Sequence, residues 1–355
     1  MTPAPAPQAS DVRTSGAPAA LADAFGRRVE YLRVSLTDRC NYRCLYCMPA
    51  AGLPWLRRAD LLTDDEVVEV VRQLSAMGLR RVRLTGGEPT LRPTLVSLVG
   101  RLRALGTLDD LSLSTNGVRL GELAPALAAA GLDRVNVSVD SLDPARAARI
   151  ARRALGFDPV VALEAAERAG LAPIKVNVVV MRGVNDDEIE RLAALALDRP
   201  WHVRFIELMP VGELAEQLAA EGADPSALVV PSDEVLERVA RYGERLGQPL
   251  AVAAGPPRGN GPAHYARFAG GAGSVGVITP MTHTYCGACN RVRLTADGRL
   301  RPCLYGDGEV LLRDAVRAGV PLAPLVRDAL AGKPREHALL TRRVGGLRAL
   351  SQVGG

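Results

Sequence analysis

Lysine is all but missing from this chain. Of its 44 basic residues only Lys175 and Lys333 are lysine, so nearly all the positive charge is arginine. Base composition accounts for that scarcity, but it singles out any lysine inside a structured segment. Aromatic residues make up 4%, too few for the interleaved cations and aromatics of a nucleic-acid-binding face. No run approaches the ~18 apolar residues that span a bilayer, which excludes a membrane helix. Residues 1–24 are rich in Ala, Pro and Ser and lack the apolar stretch of a secretory signal. Asp11 and Asp23 argue against a mitochondrial presequence, so this extension is expected to be disordered and the protein cytoplasmic. There are four histidines, His202, His264, His283 and His337, none near the first cysteines.

What is present is ordinary in bulk and unusual in detail. The 355 residues are 48% hydrophobic and 23% charged, as in a globular protein of one large or two modest domains. A net charge of +5 suits a phosphate-bearing substrate as well as nucleic acid. The six cysteines form two tight triplets, Cys40, Cys44 and Cys47, then Cys286, Cys289 and Cys303. A disulfide-stapled domain is smaller and spreads its cysteines, so the clustering points to metal or redox chemistry in a reducing compartment. Three thiolates on one short loop can hold three irons of a [4Fe–4S] cluster and leave the fourth open. A redox Cys44-x2-Cys47 pair would leave Cys40 unexplained. The second triplet also reads as a zinc site with His283 as fourth ligand, although Arg291 and Arg293 directly after Cys289 favour a cluster that meets an anion.

Strand and helix patterns alternate from Tyr31 onward. Strands are predicted at Tyr31–Leu36, Arg81–Leu84, Leu111–Ser114, Arg134–Val139, Ile174–Val180 and His202–Leu208. Helices fall between them, the first opened by Thr63 and Glu66 as a capping box. Six βα units imply an α/β fold: a partial (βα)6 TIM-like barrel over residues 25–210, then a smaller C-terminal cluster-binding region over 211–355. Covered parallel strands usually read as continuous apolar runs. These alternate, which turns a polar face to the lumen and places Arg33, Arg81, Arg83, Lys175 and Arg204 there. So many buried cations need an anion, and a polyphosphate would supply it.

Cys40-x3-Cys44-x-Tyr46-Cys47 resembles the signature of the radical S-adenosylmethionine (SAM) enzymes. The strand-end motifs Thr85-Gly86-Gly87-Glu88-Pro89, Ser114-Thr115-Asn116-Gly117, Ser138-Val139-Asp140 and Glu207-Leu208-Met209-Pro210 follow in that family's order. With the second triplet, Arg291-Val292-Arg293 and the Gly354-Gly355 terminus, the chain from Phe25 onward resembles the GTP 3′,8-cyclase (MoaA) family of molybdenum cofactor biosynthesis. The resemblance implies two [4Fe–4S] clusters, with the second holding guanine at its open iron. It implies SAM contacts at Tyr46, Gly87, Ser138 and Met209, and GTP contacts at Arg33, Arg83, Ser114, Lys175, Arg204, Arg291, Val292 and Arg293. Ser114 stands where the family usually has threonine and keeps the hydroxyl. Gly354 and Gly355 would enter the site and support catalysis. Also implied are conversion of GTP to 3′,8-cyclo-7,8-dihydro-GTP, an external electron donor, a downstream pyranopterin synthase and a homodimer.

Two rivals compete with that reading. A radical SAM peptide maturase would use the second triplet for an auxiliary cluster, but needs no ring of lumen cations. A zinc-binding nucleic-acid or regulatory protein would carry its cations on an outer face with aromatics between them.

Overall fold

A computed structural model of the chain describes residues 21–354 apart from 155, 212, 254, 256–257, 259–260, 307 and 338–347. Strands and helices alternate through the first two thirds: β1 (Tyr31–Ser35), α1 (Asp64–Ala76), β2 (Arg81–Thr85), α2 (Leu95–Arg103), β3 (Asp110–Thr115), α3 (Leu120–Ala129), β4 (Arg134–Ser138), α4 (Pro144–Ala151), α5 (Pro159–Arg168), β5 (Lys175–Val180), α6 (Ile189–Asp198) and β6 (His202–Glu207). After them come α7 (Glu213–Ala220), α8 (Ser232–Arg245), β7 (Leu250–Val252), β8 (His264–Phe268), β9 (Ser274–Ile278), β10 (Arg291–Leu294), β11 (Arg299–Arg301), β12 (Val310–Leu311), α9 (Arg313–Arg317) and α10 (Ala323–Ala331).

Local chemistry explains the boundaries. Thr63 Oγ1 accepts from the Glu66 amide at 3.2 Å, and the Glu66 carboxylate accepts from the Thr63 amide at 2.8 Å, which closes the predicted capping box on α1. Val67, Val70, Val71 and Leu74 recur at helical spacing and are buried. Two helices, not one, join β4 to β5. Each opens on an Asp-Pro step, Asp143-Pro144 and Asp158-Pro159, where the carboxylate caps amides and proline fills the first turn. The eight-residue α4 is too short to show a period, and the sequence pattern missed it.

Strands β1 to β6 pair in parallel in chain order, giving the α/β fold expected. The later residues form no separate layer in the sheet. Strand β9 adds in parallel to β6, and β10 adds in parallel to β1, so both edges of the six-stranded unit are extended by the second half of the chain. The sheet runs from β12 to β7 without closing among the described residues. It curls enough that side chains from β1, β2, β4, β5, β6 and β10 line one cavity. Its apolar face packs under the helices, with Val34, Leu84, Leu113, Val137, Val178 and Phe205 all buried.

Two expectations need correction. The extension was drawn to residue 24, yet Leu21 is buried and donates its amide to Met77 O at 3.2 Å, while Asp23 is buried against Arg27 at 2.5 Å. An apolar side chain and a paired carboxylate tie this stretch to the body. Arg81 was placed in the lumen, but it sits at the first residue of β2 and pairs with Glu30 at 2.7 Å, part-exposed. Arg134 takes a lumen place instead. Its guanidinium is wholly buried and forks onto Asp110, at 2.7 and 2.6 Å. It lies one alternation before Asn136, on the same strand face. No described helix is long and apolar enough to cross a membrane.

Removing one partner of a buried fork leaves the other charge uncompensated. Asp110→Ala should therefore cost about 3–5 kcal/mol in urea unfolding. An unchanged midpoint would show that Arg134 has another home.

Candidate active site

The loop after β1 carries the first triplet. Gly86 and Gly87, at the end of β2, lie flat against it. A Cβ on Gly86 would come within 2.6 Å of Thr37 O, and one on Gly87 within 2.2 Å of Arg39 O. The Gly87 amide donates to Thr37 O at 2.7 Å, and the Glu88 amide to Arg39 O at 2.8 Å. The two glycines are thus required by backbone packing against the cysteine loop. Glu88 is buried and accepts from the Thr90 amide and hydroxyl, the Thr115 hydroxyl and the Asn116 amide, which joins the ends of β2 and β3. Asn116 Nδ2 then donates to Asn41 Oδ1 at 2.8 Å, next to Cys40. Across the mouth, Tyr46 donates its hydroxyl to Asp140 Oδ2 at 2.7 Å. Burial raises the Asp140 carboxyl to about 6 despite hydrogen bonds from Tyr46 and the Val179 amide.

The three thiols suit a cluster and resist standing alone. Burial pushes Cys40 up to about 11 and Cys47 up to about 12, and Cys44 moves the same way. Their mutual repulsion adds to burial at Cys44 and Cys47. Thiolates here need a multivalent cation, and three of them leave one iron of a four-iron cluster open. Tyr46, Gly87, Ser138 and Met209 line the cavity beside them. Met209 accepts a hydrogen bond at Sδ from the Tyr305 hydroxyl at 2.5 Å.

Below the loop lies a row of cations. Strand register sets Arg33 directly between Arg83 of β2 and Arg293 of β10. Parallel neighbours stand ~4.8 Å apart on one face, so the three guanidinium groups share a wall. Arg204 enters from β6 and Arg291 from β10, and all five line the cavity. Arg204 donates Nε to Asn177 Oδ1 at 2.9 Å and Nη2 to Asn136 Oδ1 at 3.2 Å. Arg83 donates Nε to Ser112 Oγ at 3.3 Å and stacks over the Tyr31 ring. Ser114 accepts from Asn136 Nδ2 at 3.2 Å. Lys175 sits outside the lining, buried beneath, with Nζ on Arg258 O at 2.6 Å. Burial, with Arg204, Arg134 and Arg83 nearby, brings its ammonium down to about 6. Burial and Arg293 bring Arg33 down to about 9, and burial also lowers Arg83, Arg204 and Arg293. Alternation turns the Val292 side chain into the apolar core, away from Arg291 and Arg293.

The second triplet stands behind β10. Cys286 and Cys289 bracket a single turn, and Cys303 follows β11. Lys333 Nζ lies 3.4 Å from Cys289 Sγ. Burial would raise the Cys289 thiol, but Lys333 and Arg291 outweigh it and hold it below the usual thiol range. The alternative zinc ligand His283 is exposed and turns Nε2 to Asp233 at 3.1 Å. The chain's end also reaches the cavity. Leu350 and Ser351 line it, and Arg293 Nη1 donates to Gly354 O at 2.7 Å and to Val353 O at 3.3 Å. Gly354 adopts φ +69°, and a Cβ there would meet Thr85 Cγ2 at 2.6 Å. Arg348 anchors the segment through Asp297 and Glu309, each at 3.1 Å. Gly355 lies outside the described residues. In the sequence Asp140 stands only as the end of the Ser138-Val139-Asp140 motif, without a role, and Arg134 and Arg348 are not singled out. Asp140 and Arg134 follow the strand alternation, whereas nothing near Arg348 signals its acidic partners.

The radical SAM superfamily model matches residues 34–196, and the Molybdenum Cofactor Synthesis C model matches residues 201–339. Among solved structures, Streptococcus suis SuiB bound to S-adenosylmethionine superimposes with a TM-score of 0.55 at 13% identity, over 91% of this chain and 77% of that one, a likeness of fold alone. The GTP 3′,8-cyclase of Moorella thermoacetica is 46% identical over 94% of this chain and 99% of its own length. Those of Heliobacterium modesticaldum, 44% over 94% and 99%, and Streptomyces coelicolor, 44% over 88% and 89%, match comparably. With a cysteine loop, a cationic wall and a docked terminus drawn to one cavity, and relatives of this identity along nearly the whole chain, the protein belongs to the GTP 3′,8-cyclase family of radical SAM enzymes.

Proposed function

We propose that this chain converts GTP to 3′,8-cyclo-7,8-dihydro-GTP, the first step of molybdopterin formation, with SAM and two [4Fe–4S] clusters. The observation that carries the substrate is the row Arg293–Arg33–Arg83 with Arg204 facing the same cavity. Asp110, a carboxylate close to Arg83, is already held by Arg134. An anionic ligand is what relieves their mutual repulsion.

Cys40, Cys44 and Cys47 would hold the first cluster, and Cys286, Cys289 and Cys303 the second. Bound there with SAM, the first cluster supplies an organic radical able to take a hydrogen atom from carbon. The chain's own residues bind and orient. Gly87, Ser138 and Met209 shape the SAM side of the cavity, with Tyr46 pinned by Asp140. Arg33, Arg83 and Arg204 fix the triphosphate, with Lys175 adding its charge from beneath them, so that remote binding energy holds the ribose in reach of the radical. Arg291 and Arg293 face the base end with Ser114 opposite. The docked terminus, held by Arg293 and latched by Arg348, narrows the same space and excludes water. An external electron donor, a pyranopterin-forming enzyme that takes the product, and a homodimer complete the proposal.

Anaerobic turnover with SAM, GTP and dithionite on reconstituted protein should yield 5′-deoxyadenosine and cyclised nucleotide, both dependent on GTP, with about eight irons per chain. 5′-Deoxyadenosine without a modified nucleotide would overturn the substrate. Deleting Gly354 and Gly355 should abolish cyclisation with iron content unchanged, and full turnover by that variant would remove the terminus from the mechanism.

Lys175 adds a pH signature. Its ammonium is depressed to about 6 without ligand, so at pH 8 it is largely neutral. A bound polyphosphate raises it again, so GTP binding at pH 8 should take up as much as one proton. Affinity should then fall as pH rises above about 6. Calorimetry in two buffers of different ionisation enthalpy measures the uptake, and proton release, or affinity that rises with pH, would contradict it.

A further inference from the structure

We propose that Lys333 is a positioning residue for the second cysteine triplet. It braces both arms of the site and sets the reduction potential of the cluster held there. The inference rests on the reading that Cys286, Cys289 and Cys303 bind a cluster.

Lys333 is 2% exposed, two residues beyond the end of α10, and one of the chain's two lysines. Its Nζ has three neighbours: Cys289 Sγ at 3.4 Å, Arg291 O at 2.9 Å and Pro302 O at 2.5 Å. Those acceptors belong to the two arms of the triplet. Arg291 follows Cys289 by two residues, and Pro302 directly precedes Cys303. One ammonium therefore ties Cys289 to the strand that leaves it and to the segment that brings in Cys303.

Residue type follows from that geometry. An ammonium directs three N–H bonds tetrahedrally from a single atom and can serve three acceptors in three directions. A planar guanidinium spreads its donors in a fork that suits one carboxylate or phosphate, and cannot fill the same small space. In a chain that otherwise uses arginine, lysine stands where only its shape serves. The segment is itself held from outside. Arg27 donates to Cys286 O at 2.7 Å, to Pro334 O at 2.7 Å and to Arg335 O at 2.8 Å, while Asp23 holds Arg27 at 2.5 Å. The N-terminal strap and Lys333 thus hold all three cysteines from opposite sides.

A buried cation with an N–H aimed at a cluster sulfur favours the more negative, reduced state, because hydrogen bonds and charge near the sulfurs govern cluster potentials. Lys333 therefore raises the potential of the second cluster over that of the same site without it. The first triplet has no lysine of its own, so the two clusters are set apart by this residue.

The scarcity of lysine makes the test selective. In a Lys175→Arg background, ¹⁵N-lysine labels Lys333 alone. Pulsed electron paramagnetic resonance on the dithionite-reduced, SAM-free holoprotein should then show a lysine ¹⁵N coupled to a cluster spin. Redox titration of Lys333→Met should move one of two midpoint potentials downward and leave the other in place, and Lys333→Arg should recover part of the shift. Absence of the ¹⁵N coupling, or two unmoved midpoints, overturns the role of Lys333 while leaving the second cluster intact. Wild-type protein with about four irons per chain overturns the second cluster itself, and this inference with it. If Lys333→Met fails to load iron, the labelled Lys333-containing protein still decides.

Discussion

Arg33, Arg83, Arg204, Arg291 and Arg293 face one cavity, and their confinement governs how the rest of the molecule is arranged. Burying five guanidinium groups side by side is costly, and among the described residues amides, a hydroxyl, a ring and backbone carbonyls meet part of that cost. Asn177 and Asn136 take Arg204, Ser112 and Tyr31 take Arg83, and the carbonyls of Val353 and Gly354 take Arg293. These acceptors at Arg204, Arg83 and Arg293 are neutral, so they satisfy donors without neutralising the three charges. Asp110 would spoil this if it were loose. Arg134 occupies it with a fork that is itself buried.

β1 is the spine on which the functions meet. It carries the first cysteine loop at its C-terminal end, places Arg33 at the centre of the cationic row, and pairs with β2 on one side and β10 on the other. Because β10 follows directly from Cys289, sheet pairing fixes the second triplet behind the strand whose Arg291 and Arg293 line the cavity. The two family models divide the chain near residue 200, yet the sheet crosses that division at both edges. Each half builds a wall that the other needs.

Much of this was legible beforehand, and for a physical reason. Strands β1 to β6 could be read to within about one residue at each end, because polar and apolar residues alternate along a strand whose two faces meet different surroundings. The same alternation picked Arg33, Arg83 and Arg204. It failed at Arg81, where a position at the strand's first residue lets the side chain escape to Glu30, and it passed over Arg134. Lys175 shares the lumen face but lies under the cavity, a matter of depth that alternation cannot report. Val292 entered through motif resemblance alone, and its strand parity turns the side chain into the core. The Gly86-Gly87 pair of the strand-end motif is crowded by the backbone of Thr37 and Arg39, which the motif alone does not report.

By itself the sequence determined the two triplets, the βα rhythm, the polar strand faces and the family. These are local or periodic properties, written within a few residues of one another. Only the tertiary structure decided which distant groups share a partner. It joined Asp140 to Tyr46, Arg348 to Asp297 and Glu309, Lys333 to both arms of the second triplet, and Gly354 to Arg293. Such pairings depend on side-chain reach across strands and loops far apart in the chain, and no pattern along the sequence encodes that reach.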